Sequence, residues 1–465
     1  MTAERATPTA RSSAGRADKR LRVLAVVELG GNWGHLLRLR PVIDELRSRG
    51  HVALLATPDV AAARRMFGDD AIEIVEWPTL ISRKPLRPGR RMFHYAQMLE
   101  RCAFGDAAAL RLSVQRWNSV LRRLRPDVML LDFAPGALFA SHLSRLPVVQ
   151  AVMGWEAPRA GEPLPTILRW SDPDVAPFER LEAALLANLN RECAQARVAS
   201  LACVSDLYRV GTQLLATWPE IDHFGPRDEA RYIGPIYTED LGEQVAWAVP
   251  DATGAVRPRV LVYLARDPRN EAIVAALAAL GAEVIAVLPD VPRDEADRLR
   301  CGHVRVFDRP IRIAAVVAQA RLAITNGGHG VMGACLRAGV PMLLMPRFAE
   351  QALLATRVAQ SGLAQSLLPS EAEGAPDLAL LARALADPQA VARASAIAAR
   401  HAGTAPRDSL LAVVAAIERA GGLPGDSDLA DPAVDGQFGA VDERALVAGE
   451  KQRRVGDVDI ARDPA

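Results

Sequence analysis

Three stretches of the chain combine residue types able to do chemistry with the spacing that chemistry needs. The first is Glu28-Leu29-Gly30-Gly31-Asn32-Trp33-Gly34-His35, a glycine-rich turn after the apolar run Leu21–Val27. Leu36, Leu39, Ile43 and Leu46 follow at helical spacing, and Gly50 stops the predicted helix of about Leu36–Arg49. His35 therefore opens a helix. The positive end of the helix dipole disfavours an imidazolium, so a neutral ring near pH 7, able to accept a proton, is expected there. The plainer reading is a loop histidine that caps the helix. The second stretch is Asp132, which ends the apolar run Val128–Leu131. A carboxylate at the end of a buried strand needs a partner. It either accepts the second N–H of His35, as the aspartate of a catalytic triad does, or caps the helix predicted near Ala137–Leu143. The third is Leu322–Thr325 followed by Asn326-Gly327-Gly328-His329-Gly330 and a short helix to Ala338. Glycines let backbone N–H groups approach an anion and the helix dipole adds a favourable field, so a phosphate or diphosphate is the natural guest. A tight turn that merely needs glycine is the alternative.

The elements that position these residues alternate as short apolar strand, turn and amphipathic helix. Val52–Ala56, Ile72–Val75 and Val148–Val152 read as further strands of a first block. Arg259–Leu264, Glu283–Leu288, Leu322–Thr325 and Met342–Met345 read as strands of a second. Such alternation predicts parallel sheets covered on both faces, with a ligand cleft where two of them meet. The expected organisation is a disordered lead-in over 1–20, one domain over 21–238, a linker over 239–258, a second domain over 259–420 and a disordered tail over 421–465. The first turn is not a dinucleotide fingerprint: Asn32 and His35 stand where its second and third glycines belong.

Composition narrows the class. The 465 residues carry 56 Lys+Arg against 55 Asp+Glu, a net charge of +1, which gives no overall field to hold a nucleic-acid backbone. Lysine occurs only at Lys19, Lys84 and Lys451, and the excess of arginine and alanine points to a GC-rich genome. The five cysteines are scattered without a C-x-x-C pair, so neither a disulfide framework nor a zinc knuckle is expected, and a cytoplasmic location is. No run of 18 apolar residues is present, so no membrane span is expected. Arg83, Lys84, Arg87, Arg90 and Arg91 with Phe93 and Tyr95 form either a solvated loop or a patch for an anionic acceptor or lipid headgroups. Trp155-Glu156, followed by Pro158, Pro163 and Pro165, either lines an aromatic acceptor pocket or packs the domain.

Gly34-His35 … Arg49-Gly50-His51, the strand ending at Asp132, and Thr325–Gln351 together resemble glycosyltransferase family 1, which includes UDP-glycosyltransferases and bacterial macrolide glycosyltransferases. The similarity runs over about residues 21–420. Its most specific part is Asn326–Gln351, with G-G-H-G, then A-G-V-P, then Pro346 and Glu350-Gln351. The resemblance implies an α/β GT-B fold: two Rossmann-like domains whose parallel sheets face each other across a cleft, the N-terminal one for the acceptor and the C-terminal one for a nucleotide sugar. It implies a metal-independent, inverting transfer with no cofactor beyond the UDP- or dTDP-sugar donor. By position, His35 becomes the base for the acceptor hydroxyl and Asp132 its support. Asn326, Gly327, Gly328, His329 and Gly330 become the diphosphate cradle, and Glu350 and Gln351 the partners of the sugar hydroxyls.

The chain also departs from the family pattern. Asn326 stands for a diphosphate-binding histidine, Val331 for a small hydroxyl residue, and Ala334 for a ribose-binding glutamate. Ala265-Arg266-Asp267 replaces a Gly-Ser-like loop. Positive charge at the cradle is then expected from His329 or Arg266. The expected function is transfer of a sugar to a hydroxyl of a small, fairly apolar acceptor. Two alternatives stay open: a degenerate GT-B protein that binds a ligand or partner without catalysis, and a nucleotide-sugar 2-epimerase.

Overall fold

A computed structural model describes residues 19–30, 33–68, 72–78, 92–167, 174–236, 242–248, 257–289, 291–367 and 377–423. Gly31, Asn32, the basic cluster between Arg83 and Arg91, most of the expected linker 239–258, and nearly all of the expected lead-in and tail lie outside the described residues.

The alternating grammar folds into two six-stranded parallel sheets. The first joins β1 (Arg22–Val27), β2 (Val52–Thr57), β3 (Glu73–Glu76), β4 (Val128–Asp132), β5 (Val148–Val152) and β6 (Thr212–Leu215). Its spatial order is β3-β2-β1-β4-β5-β6. The second joins β7 (Arg259–Tyr263), β8 (Glu283–Val287), β9 (Val304–Phe307), β10 (Leu322–Thr325), β11 (Met342–Leu344) and β12 (Ala364–Ser366), in the order β12-β11-β10-β7-β8-β9. Both are the doubly wound order, whose strand sequence reverses between the first and fourth strands of each sheet. The crevice at that reversal, outside the carboxyl ends of the strands, is where ligands of such sheets bind.

The central strands are apolar throughout because both their faces are covered. Leu24, Val26, Met129 and Leu131 enter one core, while Val23, Ala25, Val27, Val128 and Leu130 enter the core on the opposite face. This is the period-two alternation of a strand with helices on each side. The second sheet divides its apolar residues between two cores in the same way.

The helix Pro406–Ala420 departs from the sequence-based domain boundary. That boundary groups it with the second block, yet Leu410, Val413, Val414 and Ile417 bury in the first sheet's core beside Leu36 and Ile43. Glu418 at its end meets Arg49 at 3.2 Å and His51 at 3.3 Å. The helix pattern shows only that one face is apolar, and the sheet that face covers is a tertiary choice.

Candidate active site

At the reversal of the first sheet, β1 lies beside β4 with Val27 opposite Asp132. The helix Trp33–Ser48 starts in the space just beyond and carries His35 in its first turn. His35 Nδ1 lies 2.8 Å from Asp132 Oδ1, and Asp132 is fully buried. An ionised carboxylate only accepts, so Nδ1 carries a proton, and in the neutral ring Nε2 holds the lone pair. Asp132 is free for this contact because another residue caps the helix Pro135–Ser144. Buried Glu28 accepts the Gly136 N–H at 2.6 Å and the Trp117 indole N–H at 3.2 Å. Gly30 makes room for the ring: at φ +94°, any Cβ on it would stand 2.1 Å from His35 Nε2.

Two further side chains join the pair. Arg38, one helical turn after His35, donates through Nε to Asp132 Oδ2 at 2.9 Å and through Nη2 to Asp132 Oδ1. The same Nη2 donates to Glu156 Oε1 at 2.6 Å. Glu156 is buried, lies 3.6 Å from His35 Nδ1, and accepts the Met153 N–H at 2.7 Å. His35, Asp132 and Glu156 bring atoms of metal-ligand type within 4.8 Å of one another. The guanidinium hydrogen-bonded to both carboxylates is the cation of this cluster, and the donor set fits it rather than a divalent ion.

The electrostatics of His35 run opposite to the lowering expected from the helix dipole. Burial pulls its pKa down, but the charge and hydrogen bond of Asp132, with the charge of Glu156, outweigh burial and the repulsion of Arg38, so the pKa rises above 6.5. Burial pushes Asp132 up, and Arg38 and His35 more than reverse this, holding it below the usual carboxylate range. Glu156 goes the other way: burial and then Asp132 raise it, against the pull of Arg38 and His35.

The second sheet presents its glycine turn at the corresponding edge. Gly327 has φ +89°, Gly328 precedes the helix His329–Ala338, and no side chain caps that helix. A Cβ on Gly328 would meet nothing within 4 Å, so the turn is open on that side. His329 does not supply the expected positive charge. It is half-buried, its Nε2 lies 2.7 Å from Thr217 Oγ1, and desolvation, His223 and Arg38 hold its pKa well below 6.5. Arg266 does not supply it either, since its mostly exposed guanidinium pairs with Glu295 at 3.0 Å. Asn326 differs from its expected role as well. Its oxygen accepts the Ala265 N–H at 2.7 Å and its amide donates to the Met345 carbonyl at 2.8 Å, which ties together the ends of β7, β10 and β11. Glu350 meets His223 Nε2 at 2.8 Å, and Gln351 accepts the Arg347 N–H at 2.9 Å.

The two halves touch through the segment after β6. Thr217 and His223, from that segment, reach His329 and Glu350 of the second half, and the His223 and His329 rings stack with centroids 6.3 Å apart. Arg227 binds Asp222 at 2.8 Å, the Ala157 carbonyl at 2.7 Å and the Gly154 carbonyl at 3.2 Å. It thereby straps the loop bearing Trp155 and Glu156 to the loop bearing His223. Trp155 is 8% exposed and packs against Tyr95, Phe224 and His223. Sequence reasoning missed Arg38, His223 and Arg347, and named Glu156 only as part of the Trp155 loop, without its charge role. Only Arg38 had a local signal, since a residue three positions after His35 shares its helix face.

No protein-family model matches the chain, and no curated protein matches its sequence. Solved structures do match. A glycosyltransferase of kitacinnamycin aligns over 87% of this chain and 100% of its own, with 22% identity and a TM-score of 0.60. A calicheamicin glycosyltransferase aligns over 86% and 99%, with 18% identity and a TM-score of 0.62. The spinosyn rhamnosyltransferase, complexed with thymidine diphosphate, aligns over 86% and 99%, with 19% identity and a TM-score of 0.57. Its complex with the spinosyn aglycone gives 84% and 99%, 20% identity and a TM-score of 0.56. The chain has the GT-B fold. The architecture implied by the sequence resemblance is thus the one observed. On this fold, His35 stands on the N-terminal side of the junction and the Gly327–His329 turn on the C-terminal side.

Proposed function

We propose that the protein is an inverting glycosyltransferase that moves a sugar from a nucleotide-diphosphate sugar to a hydroxyl of a small, fairly apolar acceptor. The observation that carries this reading is the His35–Asp132 hydrogen bond, made to a fully buried carboxylate at the edge of one sheet of a GT-B fold whose other sheet offers an open glycine turn. In this reading the acceptor hydroxyl gives its proton to His35 Nε2 as its oxygen attacks the anomeric carbon in line. The C1–O bond to the diphosphate breaks, and the leaving group takes the bonding pair. Backbone N–H groups of Gly328–Gly330 and the helix His329–Ala338 hold the charge that develops on it. Arg347, just past β11, supplies the cation that His329 and Arg266 do not; it stands near Asp267, whose pKa is lowered chiefly by its hydrogen bonds from Arg269 and in small part by the charge of Arg347. Glu350, held by His223 but 26% exposed, and Gln351 receive the sugar hydroxyls.

The solved neighbours include a rhamnosyltransferase with thymidine diphosphate, which favours a dTDP-sugar over a UDP-sugar as the first donor to test. The complex of that rhamnosyltransferase with spinosyn aglycone supports a small apolar acceptor, as does the aromatic group of Tyr95, Trp155 and Phe224 beside Glu156. The transfer needs no metal in this account, because Arg38 already occupies the acidic cluster. We place the protein in the cytoplasm on its five free cysteines. No helix among the described residues is long and apolar enough to cross a membrane.

The test is His35→Ala assayed for transfer and for nucleotide binding. Loss of transfer with binding retained is expected. Undiminished transfer sinks the base assignment, and epimerised nucleotide sugar formed without an acceptor would move the reading to an epimerase.

A further inference from the structure

We propose that Arg38 and Glu156 are positioning residues that keep the buried cluster around His35 electrically neutral at the moment the ring holds the acceptor's proton. The inference rests on reading His35 as the base. Its ground is geometric. Arg38 Nη2 donates at once to Asp132 Oδ1 and to Glu156 Oε1, and Glu156 stands 3.6 Å from the same imidazole nitrogen that binds Asp132. Asp132, Glu156 and Arg38 are all buried, and His35 is 15% exposed on its side chain.

A simple dyad of histidine and aspartate is neutral only after the proton has moved. Here the resident guanidinium would cancel Asp132 by itself and leave the imidazolium unbalanced. Glu156 removes that deficit. With His35 neutral, two carboxylates face one guanidinium and the cluster carries one surplus negative charge. With His35 protonated, two cations face two anions. In a buried site an unbalanced charge is costly, so the cluster as built draws in one proton. The raised pKa values of both His35 and Glu156 agree with that shortage.

Among the described residues, no other charged group facing the ring undoes the balance. From the second sheet's side His329 stays neutral, and His223, from the segment after β6, is occupied with Glu350. The Glu156 oxygen not used by Arg38 is fixed by the Met153 N–H, and Arg227 straps the flanking Gly154 and Ala157 carbonyls. The carboxylate therefore cannot swing to solvent without breaking the loop. Arg38 also locks the Asp132 carboxyl plane through two donors, which orients Oδ1 toward Nδ1.

The experiment is an imidazole NMR titration of His35 in the full chain, assigned with His35→Ala, in wild type, Glu156→Gln and Arg38→Gln. It requires neither nucleotide nor acceptor. The wild-type midpoint is expected above 6.5. Glu156→Gln removes the second anion and lowers the midpoint by about one unit or more, whereas Arg38→Gln removes the cation and raises it. General loosening of the site would move both variants the same way, so the opposite signs identify the charge effect. Glu156→Asp, which keeps the charge, holds the midpoint near wild type and serves if Glu156→Gln does not fold. Midpoints unchanged in Glu156→Gln and Arg38→Gln, or shifted in one direction by both, overturn the proposal. If the midpoints move as expected but no nucleotide sugar supports transfer, the cluster's electrostatics stand and the glycosyltransferase reading falls. The converse result rejects the cluster alone.

Discussion

Gly30→Ala tests the position of the His35 ring without altering any charge. A Cβ at this position would lie 2.1 Å from Nε2 and 2.4 Å from Cδ2, where ordinary contact begins at 3.4 Å. The ring or the backbone must therefore yield by roughly 1.3 Å. The ring cannot do so freely, because Nδ1 is held at 2.8 Å by Asp132, itself fixed by Arg38. A displacement of about 1 Å in a reacting group costs on the order of 10²-fold in rate, so turnover should fall by about that factor. The φ of +94° adds a backbone cost of about 1–2 kcal/mol for a residue with a Cβ. Gly50→Ala separates the two effects, since Gly50 has φ +85° but nothing stands within 4 Å of the place its Cβ would take. The assay is transfer turnover beside thermal denaturation and nucleotide binding for both variants. Gly50→Ala is expected to lose only the backbone cost and keep full turnover, and Gly30→Ala to lose more stability, by the cost of moving the ring, together with turnover. Full turnover in Gly30→Ala would refute the claim that Nε2 works from beside Gly30.

Other outcomes follow from the same geometry. The folded pKa of His35 lies above its unfolded value of 6.5, so its contribution to stability is fully present below pH 6.5 and is lost as pH rises through the folded value. The same titration sets the acid limb of kcat/KM, which should rise with a midpoint above 6.5. Asp132→Asn removes the negative charge that faces Nδ1–H and Arg38 and puts an NH2 donor in place of one of its two acceptor oxygens. Breaking a buried ion pair costs about 3–5 kcal/mol, and Glu156 still holding Arg38 puts this variant at the low end, readable by chemical denaturation. Its transfer rate should drop by on the order of 10⁴, as expected when a base loses its orienting carboxylate. Arg347→Ala should weaken nucleotide diphosphate binding about tenfold in calorimetry while leaving nucleoside binding unchanged.

The sequence was most informative where local pattern and chemistry coincide. The apolar runs at β1, β4 and β10 are buried on both faces, and each ends at a residue or turn with chemistry of its own: the loop to His35, Asp132, and Asn326–Gly330. The pairing of His35 with Asp132 was readable because both stand at carboxyl ends of neighbouring strands. Glu156 was not readable in its role. It reaches Arg38 from 118 positions away, and nothing in Trp155-Glu156 distinguishes a buried carboxylate from a surface one. The neutral His329 and the structural Asn326 escaped for the same reason, since burial and backbone partners are set by loops from other strands. The return of Pro406–Ala420 to the first sheet is likewise set by tertiary packing, not by the helix pattern.

The central claim is that the cleft binds a nucleotide sugar, and its most direct test is thermal stability across a panel of nucleotide diphosphates and their sugars, beginning with dTDP and UDP. A ligand at about 100 times its dissociation constant stabilises by about 2.7 kcal/mol, enough to raise the melting temperature by several degrees. The account predicts such a shift for one nucleotide family, with the sugar's share lost in Glu350→Ala. A flat response across the whole panel would contradict it.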